Sequence, residues 1–174
     1  MMFISDVRRA AAEAVAKVIE VACAQGLLEA DDTGGYFCLK MLGAEGFLVK
    51  PMLVGHVING KDDRYIELCQ EKATRLEARH ESNGDVTSWQ SRDPESDRWG
   101  GAILGPDGHD RQYAFSFSGL PDLCDEAVTL LTAVKVGHLS GEEALEIGDV
   151  SGSSNILVEC LDLDGKLPET EGSR

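Results

Sequence analysis

The residues of this 174-residue chain that could do chemistry are its four histidines, five cysteines, two tryptophans and one Ser-Gly turn. His56 follows Gly55 in an apolar run, where a missing side chain would admit a ligand close to the backbone. An ordinary packed histidine is the first reading there. His80 falls at the end of a helical pattern, where the dipole favours a positive imidazole, and a structural role precedes a ligand role. His109 sits in a turn and His138 follows Gly137, so both read as surface residues. Ser118-Gly119 precedes a helix and could offer backbone amides to an anion. Asp122, Asp125 and Glu126 in the same first turn oppose an anionic ligand, which favours a structural turn. Trp89 and Trp99 bracket a polar stretch and could form the lid and floor of a pocket, although an anchor packed under a long loop is the simpler reading. The candidate binding residues are therefore His56, His80, Trp99, Ser118 and Gly119; no catalytic residue and no metal ligand is assigned.

Several signatures are missing. Cysteines at 23, 38, 69, 124 and 160 form no CxxC and no zinc spacing, and read as small reduced hydrophobes. There is no GxSxG, HExxH, GxxxxGK[ST] or GxGxxG. Asp162, Asp164, Gly165 and Glu171 match positions 3, 5, 6 and 12 of a calcium loop. Cys160 and Pro168 would stand at its positions 1 and 9, and no exit helix follows, so an acidic tail is the better account.

Hydrophobic periodicity supplies the elements that must position these groups. Ser5–Gln25 reads as a helix with Val7, Ala11, Val15, Val18 and Ala22 inward and Gly26 as its stop. Tyr36–Leu42 and Phe47–Ile58 read as a hairpin around Gly43-Ala44-Glu45-Gly46. Pro51 places the second strand at an edge or on a bulge. A second helix starts at Asp62 or Asp63 and runs to about Arg79, with Ile66, Cys69, Ala73 and Leu76 inward. Residues 81–98 form a long polar loop of the kind that is functional or mobile. A second hairpin, Trp99–Leu104 and Gln112–Phe117, turns at Gly105-Pro106-Asp107-Gly108. The third helix begins at Pro121 and ends at Gly137, with a buried stripe from Leu123 to Val134. Ser140 and Glu143 make a capping box for a short helix to Ile147. Residues 148–154 resemble a linker, 156–163 fit either a strand or a helix turn, and the chain from Asp164 reads as frayed.

Helix, hairpin, helix, loop, hairpin, helix defines an α+β class: an antiparallel sheet of hairpins covered by three helices. One domain over residues 1–150 and a partly ordered acidic extension over 151–174 follow from this order. Acidic residues exceed basic ones by 31 to 16, a formal charge of −15, which disfavours nucleic acid and anionic membrane surfaces as partners. No apolar run reaches the ~20 residues of a membrane helix and the first residues do not form a signal peptide, so a cytoplasmic location is expected.

Some short motifs fit a known family. Lys72-Ala73-Thr74 in the second helix, Gly100-Gly101 at the second hairpin, and Phe117-Ser118-Gly119 followed by Asp125-Glu126 together resemble the haem-binding GlcG/HbpS-like family, which includes PduO-type C-terminal domains. The likeness spans roughly residues 5–137. It departs where the family has an arginine-methionine-aspartate-glycine stretch and this chain reads Pro51-Met52-Leu53-Val54-Gly55-His56. The resemblance implies a profilin-like fold, a tendency to oligomerise, and haem as a cofactor with no ligand transferable by position. The resulting expectation is a non-catalytic ligand-binding or protein-interaction domain that forms a homo-oligomer and takes a small-molecule ligand. The alternative is a haem- or corrinoid-handling protein, or an enzyme, using His56 or His80.

Overall fold

A computed structural model describes residues 4–163. The elements are α1 (Ile4–Ala24), β1 (Gly34–Met41), β2 (Val49–Gly55), α2 (Asp62–Asn83), β3 (Ala102–Pro106), β4 (Gln112–Ser118), α3 (Asp122–Lys135), α4 (Gly141–Asp149) and α5 (Ser154–Leu163). Two 3-10 turns, Ser88–Ser91 and Pro94–Ser96, lie between α2 and β3. The four strands form one antiparallel sheet in the order β2-β1-β4-β3, so each hairpin is extended by the β1–β4 pairing at the centre. This is the α+β class expected from the sequence.

Period-two alternation sorts side chains to the two faces of the sheet. Phe37, Leu39, Val49, Val54, Ile103, Tyr113, Phe115 and Phe117 face α1 and α3 and join the larger core. The opposite face carries small residues, Cys38, Ala102, Ala114 and Ser116, over which α2 lies. Their size lets α2 approach closely, with Cys69, Ala73 and Leu76 as its apolar contacts.

Pro51 has the role its type demands. β2 is an edge strand, and its register with β1 shifts between Phe37 and Leu39. The strand stops at Gly55, whose φ of 74° no β-branched residue would adopt readily, so His56 lies just past it rather than within a strand reaching Ile58. At the other edge, Thr87 bridges Ile103 and Leu104 N–H donates to Val86 O at 2.9 Å, which covers β3.

Three expectations are revised. Residues 154–163 form α5, whose Ile156, Leu157, Cys160 and Leu161 enter the larger core, so this stretch is not peripheral to the domain. His138 is half-buried rather than simply exposed: its ring packs edge-on against Tyr113 and Phe115 at 5.1 and 5.5 Å, and burial lowers its pKa. The 81–98 stretch is tied down rather than loose. Arg75 donates to Ser88 O, Ser91 O and Trp99 O, and Thr87 makes a capping box with Gln90. The rejected calcium-like fragment lies from Asp164 onward outside the described residues. Among the described residues, no helix is long and apolar enough to cross a membrane.

Candidate functional site

The N-terminal half of α2, the end of β4 and the start of α3 converge on a buried charged pair. Lys72 belongs to the inner stripe of α2, one turn beyond Cys69, and is wholly buried. Its Nζ donates to Asp125 Oδ2 and to Phe117 O, both at 2.9 Å. Asp125, 2% exposed, accepts from Leu120 N–H at 2.9 Å through its other oxygen, which fastens the 118–121 turn to α3. Burial raises the Asp125 pKa to about 7 against the opposing pull of Lys72. Gly101 runs beneath the pair at φ 122°; a Cβ there would meet Asp125 Cβ at 2.7 Å and Lys72 Nζ at 2.8 Å. The glycine is a spatial requirement of the ion pair.

Above this pair opens a cavity of about 350 Å³, lined by Arg64, Tyr65 and Leu68 of α2, Trp99, the Leu120-Pro121-Asp122 turn, and Ser118 at its base. Its rim is built from two further matched pairs. Arg64 donates bidentately to Asp97 at 2.8 and 3.1 Å, and Trp99 Nε1 donates to the same carboxylate at 2.8 Å. Asp97 holds a left-handed backbone, φ 56°, a conformation an aspartate tolerates better than most side chains. Opposite, Arg92 donates to Asp122 at 2.6 Å, its guanidinium 4.7 Å from the Trp89 ring centroid and 5.2 Å from that of Trp99.

Ser118 differs from its neighbours. It is 2% exposed, yet its hydroxyl makes no hydrogen bond to any described residue. No fully enclosed side-chain nitrogen or oxygen among the described residues lacks a partner, so the Ser118 hydroxyl must reach the open space it lines.

Of the sequence candidates, the fold brings Trp99 and Ser118 into this cavity. Gly119 lies just behind, packed against Gly34 and Gly35, where a Cβ would fall 2.3 Å from Gly34 O. The histidines are elsewhere. His56 is exposed and bonds Thr33 through its backbone. His80 Nδ1 lies 2.9 Å from Asp85 O in the last turn of α2. Eighteen residues of helix, about 27 Å at 1.5 Å per residue, separate Asp62 from His80. Neither histidine lines the cavity. Trp89 is the anchor rather than the lid: its ring packs on Gly100, where a Cβ would sit 2.5 Å from Cε3.

Sequence reasoning missed Lys72 and Asp125 as site residues. The signal was present in the inner stripe Cys69, Ala73, Leu76, where a lysine stands next to Ala73, and in an aspartate at the start of a helix that is mostly apolar from Ala127 to Val134. A second buried carboxylate, Glu126, accepts from Thr87, Ser151 and Ser153 hydroxyls and ties two loops to α3; burial raises its pKa. Among the described residues no group of three or more His, Cys, Asp or Glu could hold a metal ion. No family model, curated protein or solved structure matches this chain.

Proposed function

We propose that this chain is a non-catalytic ligand-binding domain whose site is the cavity over Lys72 and Asp125. The observation that carries this reading is the buried Ser118 hydroxyl, left without a protein partner at the base of a cavity. A nearly buried polar group opening into a hollow is what a pre-formed site offers a ligand or an ordered water. Binding rather than catalysis follows from the pairing around it. Lys72 and Asp125 are held by each other and by backbone groups, and no base is hydrogen-bonded to Ser118 to activate it. The profilin-like, GlcG/HbpS-like assignment is supported by the helix–hairpin–helix–hairpin–helix order and by the Ser118-Gly119 turn. Haem binding draws no support from the cavity, whose lining contains neither His56 nor His80. Amide-resolved NMR during a fragment screen tests the site: shifts should cluster at Trp99, Ser118, Leu120, Asp122 and Leu123, and clustering elsewhere removes the assignment.

Self-association is the second part of the reading. The outer edge of β2 is unpaired, and Leu48, Leu53 and Ile58 beside it are 46, 51 and 65% exposed. Such an edge is where a second copy could add a strand. Light scattering across a concentration series should show a dimer, weakened by Leu53→Lys; a monomer at every concentration refutes it.

A further inference from the structure

Resting on the binding reading above, we infer that the cavity over Ser118 selects a small, neutral, planar molecule bearing an amide, such as an aromatic carboxamide or lactam.

Charge matching carries the first half of this inference. Every ionic group at the cavity already has its opposite: Lys72 with Asp125, Arg64 with Asp97, Arg92 with Asp122, at 2.6 to 3.1 Å. A charged ligand would have to break one of these pairs or sit unneutralised in a half-enclosed space, and either is unfavourable. An anion would also enter against a chain of formal charge −15. A cation would find only Asp122 and Asp125, both engaged.

Hydrogen-bond accounting carries the second half. Ser118 brings an O–H donor and its lone pairs to the cavity. The Lys72 ammonium is wholly buried against Phe117 O and Asp125, which leaves the Ser118 hydroxyl as the group at the base that a ligand meets. The base of the cavity thus offers one group able both to donate and to accept. An amide answers both requirements: its carbonyl accepts while its N–H donates back to Ser118 Oγ. Leu68, Leu120 and Pro121 supply apolar wall, and the Trp99 ring favours a flat body over a branched one.

Three probes of similar size and different charge separate the outcomes: benzamide, benzoate and benzylammonium, each titrated against intrinsic tryptophan fluorescence of the full chain. Benzamide should give a saturable change, with the two ions at least tenfold weaker, and Ser118→Ala should weaken benzamide at least tenfold. Removing one buried hydroxyl leaves the fold intact, which circular dichroism of the variant verifies. Benzoate or benzylammonium binding as tightly as benzamide, with loss in Ser118→Ala, overturns the neutral-amide selection and keeps the site. Saturation by any probe that is unchanged in Ser118→Ala, or no saturation by any of the three, overturns the site itself along with its ligand class.

Discussion

The two faces of the sheet are built on different physics. Toward α1 and α3 the strands present Phe37, Leu39, Phe115 and Phe117, and the core there is continuous and apolar. Toward α2 they present Cys38, Ala102, Ala114, Ser116 and Ser118, and the apolar cluster is small. Polar and ionisable groups crowd that second side: a buried lysine, the Arg75 cluster, and Cys38 and Cys69 with their sulfurs 2.9 Å apart. The first face supplies stability by burying area. The second spends part of that stability on a positioned cavity, since buried ion pairs rarely surpass an apolar replacement.

The largest effect should come from the apolar face. Phe115→Ala leaves a void in a closed core and should cost about 3–5 kcal/mol in denaturant unfolding. A cost below about 1 kcal/mol would mean that the aromatic layer is not the stabilising unit. On the other face, Lys72→Met leaves Asp125 without its ammonium and should cost about 3 kcal/mol. Adding Asp125→Asn, which keeps an acceptor for Leu120 N–H, should restore at least about 1 kcal/mol of that loss. Additive losses in the double variant would show that the two residues do not act as a pair.

The pH dependence sharpens the same contrast. Asp125, raised to about 7 in the fold, binds its proton more tightly folded than unfolded. Its contribution is therefore constant below the unfolded value near 4, declines as pH rises toward 7, and is constant again above it. Stability should fall across that window by up to roughly 1.4 kcal/mol per pH unit, relative to Asp125→Asn. Glu126, also raised, contributes a slope of the same sign that both proteins share. Parallel melting-temperature profiles for the two proteins would show that Asp125 stays ionised throughout. Smallest of all, Ser118→Ala should move stability by less than about 0.5 kcal/mol, because no protein hydrogen bond is lost. A larger loss would give the hydroxyl a structural role and weaken its claim as a ligand group.

Much of the scaffold was legible. The stripe Val7, Ala11, Val15, Val18 and Ala22 gave α1 within a residue at each end, and Ser140 with Glu143 gave the capping box of α4. Pro51 correctly marked an edge strand with a register shift. Boundaries slipped where turn chemistry competes with strand propensity. β3 continues through Gly105 and Pro106, and the chain reverses at 107–111, where the Asp107 carboxylate accepts from His109 and Arg111 amides. α5 was undecidable because a short apolar run fits either period; its burial against α1, α3 and α4 settled it as a helix.

Local rules therefore determined most of the elements and the α+β class, and offered Trp99 and Ser118 as candidates, since periodicity, caps and prolines act over a few residues. The pairing of Lys72 with Asp125, fifty-three positions apart, was decided only by how α2 crosses the small-residue face and meets the start of α3. So was the unpartnered state of the Ser118 hydroxyl. Whether a polar group has a partner depends on what the fold brings within about 3 Å of it, and no local pattern in the chain encodes that distance.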